Sequence, residues 1–360
     1  MNHTSHAKSI TRSLVEAGCP PSSLVFADGT LLLLLPHGGR VLGLFAPSQA
    51  ENFFWTNPDL ESREATSKLL SSDRWQNTGG ERTWLAPEVD FFFPNYPDLT
   101  SYRPPAGLDP GSFRLLLNGT TATLETEIQL ESFRQMTRGK LRISKTLSSA
   151  PNPLGAMAGP LSAVHYAGYT THTTLRSSTG KAAPFAAALW SLIQLPHGGE
   201  MIIPTYGRAK PVLFFGNLLD GDLRIKPGLV RYRMRSPGEH KISIKSVSCT
   251  GRSAYAYLTN DEANLVVQNY QVNPSGNYID VPKDQLGDTD HCFQACNVSN
   301  PTLGSFSELE HHTPALAGRD EGLLSEDLSQ VWAFRGSPEA IANVGSILLG
   351  LAANEPLFPP

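Results

Sequence analysis

Short apolar or alternating runs, separated by glycine, proline, asparagine and aspartate, succeed one another along most of the chain. In the run Thr123–Leu130 every second residue belongs to one face, and Glu125, Glu127 and Gln129 occupy the other. Lys241–Val247 alternates in the same way. Strands with one apolar and one polar face are typical of antiparallel sheets. The pattern therefore predicts a large all-β sandwich or barrel.

Two segments near the ends depart from this strand pattern and predict helices. Ser5–Glu16 carries apolar residues on one helical face and is followed by Gly18, a residue that often ends helices. Ser337 is placed to cap a second helix that has Pro338 at its first position. No short repeat or linker divides the chain. We expect a helical segment at residues 1–22 and a single β domain at residues 23–352.

Composition narrows the class of protein. Hydrophobic residues make up 40% and charged residues 17%, a mixture that can bury a core, and the net charge of -4 speaks against a nucleic-acid partner. The aliphatic run Leu31–Leu35 is too short to cross a bilayer and is interpreted as a buried strand. Four cysteines do not make a disulfide framework, and the N-terminus lacks the apolar core of a secretion signal. These absences predict a cytoplasmic protein without a membrane partner.

Three segments carry a family resemblance. The first is His37–Leu44 with Glu51–Asn57, the second is Gly79–Glu88, and the third is Ser305–His312, with a supporting match at Thr179–Trp190. In this order they resemble segments of the galactose mutarotase-like (aldose 1-epimerase-like) superfamily, its uncharacterised bacterial families above all. The resemblance implies an all-β, galactose mutarotase-like β-supersandwich with short N-terminal and C-terminal helices.

The late strand offers a catalytic base. Mutarotation opens and recloses a hemiacetal ring, so it needs a base for the anomeric hydroxyl and an acid for the ring oxygen. Glu308, Glu310 and His312 are two residues apart and share one face of an extended strand. Such a face is costly in a plain core and fits a wet cleft, with a solvated edge as the alternative. The resemblance favours Glu308 or Glu310 as the base.

The Gly79–Glu88 segment offers a sugar contact. By resemblance, Arg82 stands where mutarotases have an arginine that touches the sugar. A guanidinium donates to two neighbouring hydroxyls or pairs with a carboxylate such as Glu88, and a purely structural ion pair is the alternative. Trp84, Gln194 and His312 complete the predicted substrate-binding set.

A long irregular stretch, Ser62–Asp109, is rich in aromatic residues and proline. Ordered loops of this length on a β scaffold often carry function. Its aromatic side chains either stack on sugar rings or pack a small core of their own, and the sequence leaves both interpretations open.

The catalytic acid is where the chain departs from the family. Mutarotases carry a "HPYF" segment soon after the strand that ends in "LW", whereas Leu189–Gln194 contains no histidine. Gln194 can bind a sugar but cannot act as an acid. His165 and His172, on the preceding strand, are the candidate acids, with a structural or solvent-facing role as the alternative.

Two further patterns have competing interpretations. His291–Cys296 holds a histidine and two cysteines, but zinc would need further ligands such as His311 and His312, so buried free thiols are favoured and no metal is expected. The basic run Arg224–Arg235 is interpreted as a solvated face. It would bind an acidic sugar if its strand lined the same cleft as Arg82.

The leading functional hypothesis is an aldose 1-epimerase-like isomerase that acts on a small-molecule sugar or oligosaccharide in a concave cleft, as a monomer or homodimer and without a cofactor. A non-catalytic carbohydrate-binding protein on the same fold is the second hypothesis. A lyase or glycosidase is the third, although those enzymes often attach this domain to a helical barrel that the chain lacks.

Overall fold

The computed structural model describes residues 5–72, 75–155, 163–259, 262–316, 322–352 and 355–358. In chain order its strands are β1 (Ser22–Val25), β2 (Leu31–Leu35), β3 (Arg40–Phe45), β4 (Glu81–Ala86), β5 (Arg114–Asn118), β6 (Thr121–Ser132), β7 (Thr137–Ser149), β8 (His165–Ser177), β9 (Ala188–Pro196), β10 (Glu200–Pro204), β11 (Val212–Phe215), β12 (Leu223–Lys226), β13 (Leu229–Arg233), β14 (Gly238–Lys245), β15 (Arg252–Thr259), β16 (Glu262–Tyr270), β17 (His291–Asn300), β18 (Gly304–His312) and β19 (Leu323–Gly336). The helices are α1 (Ser5–Glu16), α2 (Arg63–Leu70), α3 (Glu88–Phe91) and α4 (Pro338–Leu349), with 3₁₀ turns at Pro58–Glu61 and Ser246–Ser248.

The strands form two antiparallel sheets whose inner faces pack together. Sheet A has nine strands in the order β1-β2-β3-β4-β9-β18-β17-β14-β11. Sheet B has ten, in the order β12-β13-β10-β15-β16-β19-β8-β7-β6-β5. One apolar cluster draws on both sheets, with Leu189 and Leu309 from sheet A and Leu141 and Val331 from sheet B. The all-β sandwich predicted from the sequence is confirmed.

The end helices form where the sequence predicts them. Ile10 and Leu14 of α1 are buried in an apolar cluster with strands β2 and β3. The Ser337 side chain accepts a hydrogen bond from the backbone of Ala340 and so caps α4, which ends at Gly350 in the left-handed conformation. Within the described residues, no helix is long and apolar enough to cross a bilayer.

The run of leucines in β2 is buried on both faces for two different reasons. Leu32 and Leu34 belong to the core between the sheets. Leu31, Leu33 and Leu35 point the other way and pack under α1. A helix laid on the outside of a sheet thus explains why this strand shows no polar face.

The outer face of sheet A, the face turned away from sheet B, is also covered over its central strands. Residues 87–113, here called the covering segment, pack on it through aromatic side chains. The ring of Phe92 lies 5.0 Å from Trp84 and 6.0 Å from Trp190, centroid to centroid. A buried salt bridge fastens the segment, because Asp109 Oδ2 accepts from Arg40 Nη2 at 2.7 Å and from the indole of Trp84 at 3.1 Å. The aromatic stretch therefore packs largely as a small core.

Candidate functional site

Strand alternation places a set of polar side chains on the covered outer face of sheet A. On β18, Ser307 and His311 face sheet B, where they bond Tyr255 and Asp327 respectively. Glu308, Glu310 and His312 must therefore face outward, as predicted.

The strand register then aligns partners across the sheet on this outer face. Glu308 stands between Gln194 of β9 and Cys296 of β17, and Cys296 stands opposite Lys241 of β14. Arg82 of β4 pairs in register with Leu192, beside Gln194. We call Arg82, Gln194, Lys241, Glu308 and Glu310 the outer cluster.

The first half of the outer cluster is an arginine–carboxylate pair. Arg82 Nη2 donates to Glu308 Oε1 at 2.8 Å, and Gln194 Nε2 donates to the same oxygen at 3.1 Å. The guanidinium lies 4.1 Å above the ring of Trp84 and 5.1 Å from that of Trp75. Only 1% of the Arg82 side chain and 8% of the Glu308 side chain are exposed. Arg82 Nε and Nη1 have no hydrogen-bond partner among the described residues, so the guanidinium keeps donors for a ligand.

The second half is a lysine–carboxylate pair. Lys241 Nζ lies 2.9 Å from Glu310 Oε2, which also accepts from the indole of Trp190 at 2.7 Å. Burial raises the pKa of Glu310 to about 7, although Lys241 opposes the shift. Burial lowers the pKa of Lys241, but Glu310 and Glu88 raise it by more, so the net shift is upward. Lys241 is therefore a fixed cation, whereas Glu310 changes charge near neutral pH.

His312 extends the same face but is not a proton donor at neutral pH. Its ring stacks on Trp190 with centroids 5.3 Å apart, and its Nε2 lies 3.8 Å from Asp280 Oδ2. Burial, with Lys241 and His311 adding to it, lowers the pKa of His312 well below its ordinary value. The imidazole is therefore neutral near pH 7.

The covering segment contributes Glu88 and Tyr102 above the outer cluster. The backbone N–H of Glu88 donates to Asp280 Oδ1 at 2.8 Å, and the hydroxyl of Tyr102 hydrogen-bonds the Glu88 carboxylate. Burial raises the pKa of Glu88; Asp280 and Glu308 add to the shift, while Lys241 and Tyr102 oppose it. Tyr102 is 44% exposed, so this end of the site faces solvent.

Three ligand atoms in the outer face lie close enough to hold a metal ion. Cys296 Sγ and carboxylate oxygens of Glu308 and Glu310 lie within 4.8 Å of one another. Both carboxylates are, however, already paired with Arg82 and Lys241, and burial raises the pKa of the thiol far above its ordinary value. The buried cations of Arg82 and Lys241 disfavour the binding of a metal ion, which would add further positive charge at this point. We therefore assign these carboxylates to their ion pairs.

The two histidines predicted as acids are not brought to the outer cluster. Both lie on β8 in sheet B. His172 Nε2 is 2.7 Å from Glu326 Oε1, and this pair lines an open groove of about 390 Å³ on the outer face of sheet B. His165 Nε2 lies 3.3 Å from the side-chain amide of Gln49. The body of the sandwich separates His172 from the outer cluster, and His165 lies at the first residue of β8 beside Gln49, so neither histidine joins Glu308.

The basic run and the His–Cys segment have other partners. Arg231 binds Glu200 on sheet B and donates to the backbone oxygens of Pro356 and Leu357, so it anchors the C-terminal segment. An acidic-sugar site would require the strand of Arg231 to line the same cleft as Arg82. Arg231 lies on β13 of sheet B and Arg82 on β4 of sheet A, so this requirement is not met. The cysteines at 249, 292 and 296 are buried and free. His311 and His312 point to opposite sides of β18 and cannot together complete a zinc site with His291.

Sequence reasoning missed Lys241, Asp280 and the role of Tyr102. Lys241 was visible as a polar position on an alternating strand, but its closeness to Glu310 depends on the register of β14, β17 and β18, which the sequence does not reveal. Asp280 follows no motif. Its two oxygens bind the Glu88 backbone and, at 2.7 Å, the amide of Gln294.

Comparisons with known proteins bear on the fold alone. No family model and no curated protein matches the chain. A galactose mutarotase-related enzyme from Lactobacillus acidophilus is similar in structure, with a TM-score of 0.42, 10% identity, and coverage of 88% of this chain and 97% of the other. A protein from Synechocystis sp. PCC 6803 has a TM-score of 0.45 and 12% identity, covering 88% and 96% of the two chains. A galactose 1-epimerase from L. acidophilus NCFM has a TM-score of 0.40 and 11% identity, covering 88% and 94%. At such identities the similarity assigns no role to any residue.

Proposed function

We propose that this protein binds an uncharged sugar over the outer cluster and interconverts its anomers, with Glu308 as the base. The observation that carries the proposal is the buried Arg82–Glu308 pair, in which the guanidinium keeps two unused donors beside Gln194.

Unsatisfied polar atoms around the pair match the hydroxyl groups of a sugar. Arg82 Nε and Nη1 are donors, and Gln194 Oε1 and Glu310 Oε1 are acceptors, all buried and without a partner in the described part of the chain. A buried polar atom left unpaired costs about 1–3 kcal/mol. A hydroxyl donates one hydrogen bond and accepts others, so neighbouring hydroxyls on one ring satisfy both kinds of atom.

Glu308 is the better placed of the two candidate bases. Arg82 and Gln194 both bind its Oε1, which fixes the carboxylate and leaves Oε2 for the anomeric hydroxyl. Glu310 is fully buried, and its Oε2 is occupied by Lys241 and Trp190. We therefore assign proton removal to Glu308 and positioning of hydroxyls to Arg82 and Glu310.

The charge balance of the site favours an uncharged substrate. Both cations of the outer cluster are already paired, Arg82 with Glu308 and Lys241 with Glu310, and Asp280 adds a further carboxylate beside His312. A uronate or sugar phosphate would add negative charge where no cation is left unpaired in the outer cluster. We expect aldohexoses and related neutral sugars to bind in preference to their acidic derivatives.

The second candidate function is sugar binding without turnover. It is favoured by one observation, the absence of a protonated imidazole from the outer cluster, since His312 is neutral and the histidines of β8 lie on sheet B. Such a protein would use the same donors and acceptors and leave the anomers unchanged.

Polarimetry or NMR on freshly dissolved α-glucose and α-galactose separates the two functions. A mutarotase accelerates the approach to anomeric equilibrium in proportion to protein concentration. No acceleration with a panel of neutral aldoses, together with a sugar-dependent rise in melting temperature, would identify a binding protein. Neither effect with any sugar would overturn both candidates.

A further inference from the structure

The proposed base needs a partner acid, and the covering segment provides one. Resting on the proposed function, we propose that Glu88 donates the proton to the ring oxygen of the sugar, from the layer opposite Glu308. Base and acid would then belong to two different parts of the fold, with Glu308 on the strand β18 and Glu88 at the start of α3 above it.

The geometry holds Glu88 over the outer cluster. Its backbone N–H is fixed by Asp280 at 2.8 Å, and its carboxylate hydrogen-bonds the hydroxyl of Tyr102 and interacts electrostatically with Lys241 and Glu308. Glu88 is half-buried, whereas Glu308 is almost completely buried.

The environment of Glu88 raises its pKa above that of an ordinary glutamate. Burial disfavours the carboxylate, and the charges of Asp280 from the neighbouring loop and Glu308 from β18 disfavour it further, so the pKa rises. Lys241 from β14 and the Tyr102 hydroxyl from the covering segment oppose the shift without reversing it. A carboxyl group with a raised pKa is suited to act as a general acid.

The other groups near the outer cluster fit the role of acid less well. His312 is a neutral imidazole, Gln194 has no acidic proton, and Glu310 is fully buried with one oxygen held by Lys241 and Trp190. Tyr102 has a pKa raised far above its ordinary value by burial and by Glu88, so its hydroxyl keeps its proton. Glu88 combines partial exposure with a raised pKa.

The proton transfers balance without any further reactant. Glu308 takes the proton of the anomeric hydroxyl while the bond between the anomeric carbon and the ring oxygen breaks, and the Glu88 carboxyl gives its proton to that ring oxygen. The open-chain aldehyde turns about the bond to its neighbouring carbon. The ring oxygen then attacks the other face of the carbonyl, returns its proton to Glu88, and the new anomeric oxygen takes the proton back from Glu308.

The decisive experiment compares wild-type protein with Glu88→Gln in the mutarotation assay across pH 5 to 9. We expect a loss of about 100-fold in kcat, in the range that general acid catalysis contributes. We also expect the wild-type rate to fall at high pH as Glu88 loses its proton, and this limb to vanish in the variant. An unchanged kcat with an unchanged pH profile would overturn the assignment.

Two more conservative variants should shift the pH at which the rate falls, and they should shift it in opposite directions. Tyr102→Phe keeps the ring, which stacks on Phe92, and removes the hydrogen bond that lowers the pKa of Glu88, so the limb moves to higher pH. Asp280→Asn keeps an oxygen for the Glu88 backbone and removes a charge that raises this pKa, so the limb moves to lower pH. A merely structural role for Glu88 predicts neither shift, and shifts of the same sign would contradict the proposal.

The failure of this inference can be told apart from failure of the proposed function. A wild-type protein that accelerates mutarotation of no aldose removes both. A wild-type protein that is active, with Glu88→Gln, Tyr102→Phe and Asp280→Asn all retaining its pH profile, removes Glu88 alone and leaves the assignment of Glu308 in place.

Discussion

The outer faces of the two sheets carry the same kinds of ion pair in opposite surroundings. On sheet B, Arg142 and Glu127 pair at 2.7 Å with 58% and 51% of their side chains exposed. On sheet A, Arg82 and Glu308 pair at 2.8 Å with 1% and 8% exposed. The distances are nearly equal, so geometry alone does not distinguish a solvated strand face from a candidate site.

The covering segment makes the difference. Sheet B leaves the outer face of β6 and β7 to water, where ion pairs contribute little to stability. Residues 87–113 shield the outer face of sheet A, and there a pair must recover the large cost of removing two charges from water. Sheet A has two such pairs side by side, around hydrogen-bond donors and acceptors that have no partner among the described residues. Apolar residues at these positions would allow the chain to fold equally well. This is the pattern we associate with function on sheet A.

The largest difference between the two sheets should be in the free energy of unfolding that is lost when one partner of each ion pair is removed. Arg82→Met leaves the Glu308 carboxylate buried without its cation, and we expect a loss of about 3–5 kcal/mol in the free energy of unfolding. Arg142→Met on sheet B should cause only a small change. Urea denaturation of both variants measures the difference. The double variant Arg82→Met/Glu308→Gln should recover much of the loss, and equal losses in the two single variants would contradict the contrast.

Neutralising a carboxylate should lower the mutarotation rate when the residue lies on the outer face of sheet A and should have no effect on sheet B. We expect Glu308→Gln to lower kcat for mutarotation by about 100-fold, as loss of a general base does, and Glu310→Gln to have a smaller effect because Glu310 only positions hydroxyls. The matched control Glu127→Gln removes the same charge from sheet B and should leave kcat unchanged. A larger loss for Glu310→Gln would exchange the roles of the two glutamates.

The sequence predicted which side chains of this site share a strand face, but it did not predict how deeply that face is buried. Period-two alternation correctly placed Glu308, Glu310 and His312 on one side of β18, because strand geometry is local. It gave no means to tell β18 from β6, whose charged face stays wet. That distinction comes from the long-range packing of the covering segment on sheet A. The histidines of β8 show the same limit, since their strand was foreseen but its place in sheet B was not.

The pH dependence of stability should provide the subtlest contrast. The pKa of Glu310 is raised from 4.5 to about 7 in the folded protein, chiefly by burial, so folding takes up a proton between these values. The stability that this proton contributes is complete at low pH and is lost as pH rises towards 7, by at most about 1.4 kcal/mol per pH unit. Glu310→Gln should therefore reduce the downward slope in the free energy of unfolding between pH 5 and 7.

Glu127 is the matched control for this slope. Its pKa is lowered by the hydrogen bond and charge of Arg142, so it is largely ionised in this range in both folded and unfolded chains, and Glu127→Gln should change the slope little. Chemical denaturation at pH 5, 6 and 7 provides the measurement. If the slope is as steep in Glu310→Gln as in the wild-type protein, Glu310 does not cause it, and Glu88→Gln is the variant that should then reduce it. That result would assign the proton taken up on folding to Glu88 of the covering segment and not to Glu310 of β18.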